Sequence, residues 1–315
     1  MSTSSIAHRQ NGISRVKLFL ALSRTTHGLL DMAAPALAAL LWQGSIPSLR
    51  IILLGLFTAF AGYSAVYALN DLVDYRIDKK KLEQGGFQSY GKDLDALLVR
   101  HPMAHGFLSF REGVIWTIGW GILALIGAYF LNPICLLIFL AGGGLEALYC
   151  LLWATSNLRT VVSGIVKSTG GMAAVFAVDP NPSLFFLLIL FLWLFFWEVG
   201  GQNIPNDWAD IEEDRKFKAK TVPVIFGPLW ANFIISVSLA LALFLNGLLL
   251  GLSPMGGGIP LILISLLIGL GFLLHPAYRL LRTKNRGGAL VLFNRASYYP
   301  LALLATISLF LIFRN

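Results

Sequence analysis

Apolar residues occur along the chain in nine runs of about twenty residues or more, separated by polar segments. An α-helix of about twenty apolar residues spans the hydrocarbon layer of a membrane. Helices are the expected spanning element because lipid offers no hydrogen-bond partner to free backbone groups. The pattern predicts transmembrane helices at about 16–43, 50–76, 112–131, 133–153, 158–178, 183–206, 228–252, 258–280 and 289–313.

The composition supports an all-α polytopic membrane protein. Hydrophobic residues make up 57% of the chain and charged residues 13%, about half the 25% typical of soluble domains. The mean hydropathy is +0.73. We expect one domain over residues 1–315, a bundle of nine helices around a central cavity. Cys135 and Cys150 lie inside apolar runs, which predicts buried thiols and no disulfide.

The basic residues predict an orientation for this bundle. With the amino terminus inside, 22 of the 24 lysines and arginines fall in cytoplasmic segments, and only Arg50 and Arg314 do not. Positive residues concentrate on the cytoplasmic side of membrane proteins, so the prediction is N-in and C-out in a cell inner or plasma membrane. The same rule explains the net charge of +8. Membrane lipid is therefore an expected partner and nucleic acid is not.

Two copies of an acidic motif, N-D-x-x-D-x-x-x-D, stand at the predicted cytoplasmic ends of the second and sixth helices. The first copy comprises Asn70, Asp71, Asp74 and Asp78. The second copy comprises Asn206, Asp207, Asp210 and Asp214. On a helix the three aspartates of each copy share one face, because residues three and four apart are neighbours there. Polar loops at about 79–111 and 207–227 follow the motifs and are predicted to cap them.

Clustered carboxylates repel one another unless cations lie between them. Carboxylate oxygens suit Mg²⁺, which commonly bridges to phosphate, and bound metal would neutralise the charge on a leaving diphosphate. We therefore predict a diphosphate clamp in which the six aspartates are catalytic. The predicted metal ligands are Asn70, Asp71, Asp74, Asp78, Asp207, Asp210 and Asp214. Basic residues such as Arg76 follow each motif and are candidates for phosphate contact, although topology alone explains most of them.

These motifs resemble those of the UbiA superfamily of intramembrane prenyltransferases. The stretch from Arg100 to Gly106 is similar to the family pattern R-P-x-x-x-G, with His101 inserted between arginine and proline. The stretch from Lys220 to Gly227 is similar to K-T-x-P-V-x-x-G. The resemblance implies that a polyprenyl diphosphate binds both motifs through Mg²⁺, with Arg100 and Lys220 on its phosphates. The isoprenoid tail would lie in an apolar cavity.

Ionisable residues inside the spans indicate a second functional region. Glu146, Lys167 and Glu198 are expected about 10–14 Å below the inner surface. They predict an acceptor pocket, although a structural ion pair between Glu146 and Lys167 is an equal alternative. Asp31, in the first span, is either a buried hydrogen-bonded carboxyl or functional. The remaining residues of the predicted substrate pocket are Arg24, Asn70, Tyr149, Arg159, Asn203 and Asn206.

The sequence therefore predicts Mg²⁺-dependent transfer of a prenyl group from a polyprenyl diphosphate to a small-molecule or lipid acceptor. Among acceptors that the resemblance implies, an aromatic quinone precursor is the commonest, and a tetrapyrrole, a glycerophosphate lipid and a sugar diphosphate are others. Three alternatives stay open: phosphoribosyl transfer to a polyprenyl phosphate, a divalent-cation transporter and a non-catalytic lipid-diphosphate binder.

Overall fold

The computed structural model describes residues 14–85 and 98–314, and within these ranges all regular structure is helical. The extended loop predicted between the first motif and Arg100 falls partly on residues 86–97, outside the described residues. The α-helices, α1 to α14 in chain order, are Arg15–Leu22, Thr25–Asp31, Ala33–Gln43, Leu49–Glu83, Phe110–Leu131, Pro133–Leu151, Arg159–Val178, Leu184–Trp197, Ile204–Ala209, Ile211–Lys216, Val222–Leu252, Gly258–Gly269, His275–Thr283 and Arg286–Arg314. Two π-helical segments, Glu198–Asn203 and Leu270–Leu274, lie between α-helices.

Eight helical stretches in the described residues are long and apolar enough to cross a membrane. They coincide with the predicted second to ninth spans, and the chain is an integral membrane protein. The predicted first span is instead three short helices, α1 to α3. The first break is at Arg24, whose φ of 42° is left-handed and incompatible with a continuing α-helix. The orientation N-in and C-out stays a prediction.

Helix α4 carries the first acidic motif and continues past the predicted end at residue 76. Its 35 residues correspond to about 52 Å at 1.5 Å per residue, well beyond the hydrocarbon thickness of about 30 Å. The whole motif is therefore helical, and Asp71, Asp74 and Asp78 share one face as predicted. The last turn ends at Glu83 among lysines that favour a helix carboxyl terminus.

The second motif differs from the prediction because it is not one helix. The π-helical segment Glu198–Asn203 precedes α9, in which Pro205 stands at the start. Proline has no N–H for the helix ladder and clashes with the preceding turn, and a wider turn accommodates it. Helix α9 then ends at Ala209, and Asp210, with φ −104° and ψ 12°, separates it from α10. Asp207 and Asp214 therefore lie on two different short helices, and Asp210 lies at the junction between them.

Close packing of small residues brings α7 and α8 together. Gly164 and Gly171 on α7 leave space for Phe195 and Leu194 of α8, as is common between membrane helices. Trp197 is fully buried and donates from Nε1 to the carbonyl of Ala296 at 3.0 Å. This dense half of the bundle supports a more open half, in which α4 packs on α5 and α6.

Candidate active site

A cavity of about 490 Å³ runs inside the open half of the bundle. Its polar end is lined by Arg24, Asn70 and Arg100, close to the first motif. The other end is apolar and reaches Ile51 and Val178, near the opposite ends of α4 and α7. The cavity therefore joins a charged mouth to a long apolar interior.

The first motif meets a histidine and an arginine at this mouth. His101 places Nδ1 2.9 Å from Oδ2 of Asp78 and 3.3 Å from Oδ1 of Asp71. Arg24 lies 3.4 Å from the same oxygen of Asp71. Burial alone would lower the pKa of His101, but the negative charges of Asp71 and Asp78 outweigh it and raise that pKa to about 9. Asp74 is partly buried and interacts electrostatically with Arg24.

The second motif is held by basic and hydroxyl side chains. Arg159 at the start of α7 lies 2.9 Å from Oδ1 of Asp207, and Thr221 donates to Asp214 at 3.0 Å. Burial, followed by the charge of Asp207, raises the pKa of Asp214 to about 7. Burial also raises the pKa of Asp210, against the opposing charge of Arg100. Asp210 is further paired with Arg286 at 3.9 Å.

Contacts across the mouth hold the two motifs opposite each other. Lys81, just after the first motif, lies 3.1 Å from Glu213 of the second. Lys216 donates to the carbonyl of Gln84 at 2.8 Å. Arg159 interacts electrostatically with Asp74 as well as with its partner Asp207. The first motif, on one helix, therefore faces the second, which is divided between two short helices.

The residues fit the metal that the motifs predict. One ligand atom each from Asp71, Asp78 and His101 lie within 4.8 Å of one another, and all three residues are buried. In the second motif, Oδ2 of Asp207 is buried and accepts no hydrogen bond from the described residues. Hard carboxylate oxygens in this number suit a divalent cation. The motifs are therefore equipped to hold the ions that a diphosphate requires.

The predicted substrate residues of α6 and the sixth span form the wall beside the second motif. The guanidinium of Arg159 lies over the ring of Tyr149, 4.4 Å from its centroid. The hydroxyl of Tyr149 accepts from Nδ2 of Asn203 at 3.3 Å. Asn206 lines the same cavity. Tyr149 is therefore fixed from both its face and its hydroxyl.

A buried charged cluster lies deeper in the cavity. Lys167 is 2.7 Å from Asp31 and 3.8 Å from Glu198, and Ser163 donates to Glu198 at 2.7 Å. The expected partner Glu146 instead accepts from Asn70 of the first motif at 2.8 Å. Lys167 pairs with Asp31 instead because Asp31, at the end of α2, lies against α7. Asp31 also accepts a hydrogen bond from the Tyr67 hydroxyl.

The comparison with known proteins agrees with the motifs. The sequence model of the UbiA prenyltransferase family matches residues 32–298. The chain belongs to the UbiA prenyltransferase family. It is therefore a prenyltransferase, and the resemblance inferred from the two motifs is confirmed.

Individual relatives of this UbiA family member extend the comparison. Digeranylgeranylglyceryl phosphate synthase from Thermococcus sibiricus is 24% identical over 271 residues, which is 86% of this chain and 88% of the relative. A UbiA homologue from Aeropyrum pernix has a TM-score of 0.70 at 19% identity, covering 91% of this chain and 98% of that one. A homologue from Archaeoglobus fulgidus, solved with DMAPP and Mg²⁺, has a TM-score of 0.64 at 18% identity, covering 91% and 99%. These structures share the fold.

Three predicted phosphate-binding residues have different placements. Arg100 lines the cavity and lies near Asp210. Arg76 is exposed on α4, and on a helix it faces away from the aspartates. Lys220 is also exposed, and its backbone N–H donates to the carbonyl of Trp153 at 2.8 Å. Phosphate contact by Arg76, Arg100 and Lys220 stays a prediction.

Sequence reasoning missed several residues of this UbiA site. His101 carried a signal, because it directly precedes Pro102 in a stretch similar to a family motif. Lys81 was visible only as one of several basic residues after the motif. Ser163 had no distinguishing sequence feature, because its role depends on the packing of α7 against the π-helical segment with Glu198.

Proposed function

We propose that this protein is a Mg²⁺-dependent prenyltransferase that transfers the prenyl group of a polyprenyl diphosphate to a hydroxyl-bearing lipid acceptor within the membrane. The observation that carries the proposal is the cavity that runs from Asn70 and Asn206, the asparagines of the two acidic motifs, into an apolar interior. Such a cavity suits a molecule with a diphosphate at one end and a hydrocarbon chain at the other. The active site would open toward the cytoplasm.

The mouth of the cavity would bind the diphosphate. Mg²⁺, when bound, supplies positive charge that stabilises the leaving diphosphate. Asp71, Asp78 and Asp207 would hold such ions, together with the other predicted motif ligands. Arg24 and Arg100 add positive charge on the cavity side. Guanidinium groups suit this task because they bind phosphate oxygens in a bidentate manner.

The apolar part of the cavity would hold the prenyl chain. Its walls include Ile51, Ile52 and Phe139, together with glycines that keep the space open. Gly55 and Gly143 line the cavity, and a Cβ added at either would meet no atom within 4 Å. Burial of the chain in such a lining is favourable by about 25 cal/mol per Å² of apolar surface. It also keeps water from an allylic cation.

The acceptor would approach from the buried polar groups. Glu146 is tied to the first motif through Asn70, and it lines the same cavity. Oε2 of Glu198 is buried and accepts no hydrogen bond from the described residues. A hydroxyl donor would satisfy such an oxygen, since buried acceptors are normally hydrogen-bonded.

Glu146 is our candidate for the general base. The acceptor hydroxyl would give its proton to this carboxylate as its oxygen bonds the allylic carbon. The bond between that carbon and the diphosphate oxygen would break, and the diphosphate would leave with the electron pair. Tyr149 lines the cavity on the same helix, three residues along, and presents an aromatic ring toward the reacting region.

The relatives bear most directly on the chemical class of the acceptor. The synthase from Thermococcus sibiricus is named for digeranylgeranylglyceryl phosphate, and its match extends over 86% of this chain. We therefore favour a glycerophosphate lipid with a free hydroxyl over the aromatic quinone precursor. Family membership also favours prenyl transfer over the phosphoribosyl, transporter and non-catalytic alternatives.

An acceptor competition would test this proposal. Purified protein in lipid nanodiscs would receive Mg²⁺, geranylgeranyl diphosphate and equal amounts of a mono-prenyl glycerophosphate lipid and 4-hydroxybenzoate, with products identified by mass spectrometry. We expect the glycerophosphate product, and a strong reduction with Glu146→Gln. Exclusive prenylation of the aromatic acid would overturn the acceptor assignment. Absence of any prenylated product from both, or from a wider acceptor panel, would count against the function itself.

A further inference from the structure

The loop that contains residues 100–106, before α5, differs from the family pattern. In R-P-x-x-x-G, the arginine directly precedes the proline. Pro102 and Gly106 keep the spacing of the proline and glycine, so the arginine position is taken by His101 and not by Arg100. An imidazole differs from a guanidinium in one important respect: it can bind a metal ion, and a guanidinium cannot.

The imidazole of His101 lies where a metal ligand would lie. Nδ1 is 2.9 Å from Asp78 and 3.3 Å from Asp71, and the ligand atoms of all three residues lie within 4.8 Å of one another. Ligands of one ion at metal–ligand distances of about 2.0–2.2 Å are separated by at most about 4.4 Å. Small side-chain adjustments would therefore place one ion between these three atoms.

The backbone holds His101 in an unusual conformation. Its φ of 51° is left-handed, although a residue before proline normally favours extended backbone. Conformations of this kind persist where the surroundings fix them, and they concentrate at functional sites. The surroundings here are the turn that follows, in which His105 donates to the carbonyl of His101 at 3.2 Å and Phe107 to that of Pro102 at 2.9 Å.

We propose that His101 is a nitrogen ligand, through Nδ1, of the metal ion at the first acidic motif. This motif would then offer two carboxylates and an imidazole, and the described residues of the second motif would offer carboxylates. Imidazole nitrogen suits ions such as Fe²⁺, Ni²⁺ and Zn²⁺, whereas Mg²⁺ prefers oxygen ligands. On binding, the metal–nitrogen bond forms and any Nδ1 proton passes to solvent. The proposal rests on the proposed function only in placing a metal at this motif.

Electron spin-echo measurements on bound Mn²⁺ provide a direct test, because a coordinated imidazole gives ¹⁴N modulation. The full-length protein in nanodiscs would be loaded with Mn²⁺ alone, without any prenyl diphosphate. We expect ¹⁴N modulation in the wild type, and its replacement by a ¹⁵N pattern in protein labelled at histidine. The His101→Arg variant should show no ¹⁴N modulation and should bind Mn²⁺ at least about 10-fold more weakly. This lower bound follows because loss of a group that only supports a metal ligand already lowers metal affinity about 10–100-fold.

His105→Arg is the matched control, since it changes a histidine of the same turn that we do not place in the site. It should keep both the modulation and the Mn²⁺ affinity. If the wild type shows no ¹⁴N modulation, or if His101→Arg retains it, His101 is not a ligand. If His101→Arg binds Mn²⁺ as tightly as the wild type, His101 acts only as a positive partner of the aspartates, and the proposal is also overturned.

The wild-type spectrum decides the matter even if His101→Arg fails to fold. Diphosphate release with Mg²⁺ would be measured on the same preparation. Release without ¹⁴N modulation refutes the ligand proposal and leaves the proposed function standing. ¹⁴N modulation without diphosphate release under any acceptor condition would have the opposite meaning. It would support His101 as a metal ligand and refute the proposed function.

Discussion

Replacing Lys167 by methionine tests the buried charged cluster. The lysine lies 2.7 Å from Asp31 and 3.8 Å from Glu198, and the side chains are 12%, 1% and 9% exposed. Methionine keeps much of the volume and removes the charge. The two carboxylates would then lose the lysine that lies between them, and His27, 3.8 Å from Asp31, would remain as the nearby basic side chain.

The magnitude follows from the burial. Removing one partner of a buried ion pair costs about 3–5 kcal/mol, because the remaining charge stays desolvated. Protonation of one carboxyl limits the loss, as buried groups neutralise when that is cheaper, so we expect about 3 kcal/mol. For chains of 150–250 residues, 1 kcal/mol shifts Tm by about 2–4 °C. A shift near 2 °C per kcal/mol in this longer chain gives a decrease of about 6 °C.

Thermal unfolding in detergent, followed by tryptophan fluorescence, measures this shift. The double variant Asp31→Asn with Lys167→Met removes both members of the closest pair and should recover more than half of the loss. Lys79→Met is the matched control, because Lys79 is exposed on α4 and its charge should contribute little. The reasoning is refuted if Lys167→Met unfolds within 1 °C of the control, or if the double variant is no more stable than the single one.

Three further predictions concern activity. Arg159→Gln removes the 2.9 Å contact to Asp207 and should lower kcat/KM for diphosphate release by about 100-fold. Arg159→Lys should recover only part of this activity, since lysine lacks the planar group that stacks on Tyr149. Full recovery by Arg159→Lys would contradict this role. Gly143→Phe fills open cavity space and should reduce turnover of geranylgeranyl diphosphate more than that of dimethylallyl diphosphate, whereas an equal loss in competition assays would argue against a tail site there. Chelation with EDTA should abolish product formation and added Mg²⁺ should restore it, and undiminished turnover in EDTA would exclude a metal requirement.

Much of the fold could be predicted because the signals were local. Runs of apolar residues near twenty in length locate the second to ninth spans, since a helix of that length crosses lipid with its backbone hydrogen bonds satisfied internally. The break at Arg24 was not predictable in this way, because a left-handed residue inside a moderately apolar segment leaves no mark on hydropathy. The extension of α4 to Glu83 was missed for a similar reason, since the helix continues after its sequence becomes polar.

The candidate site shows the same division. Asp71 and Asp207 were found because a repeated motif with fixed spacing is visible in one sequence. The pairing of Lys167 with Asp31 was not, because it depends on which helices meet across the cavity. His101 lies between these cases. Its place in the loop was visible, but its contact with two aspartates required the fold of the loop.

Formation of a prenylated product together with diphosphate tests the central claim most directly. Protein in nanodiscs would be given geranylgeranyl diphosphate, Mg²⁺ and a glycerophosphate lipid with a free hydroxyl, and product and diphosphate would be quantified together. We expect equal amounts of prenylated product and diphosphate from the wild type, and neither from Asp74→Asn or Asp210→Asn. Product formation that persists in both variants, or diphosphate release without any prenylated product, would contradict it.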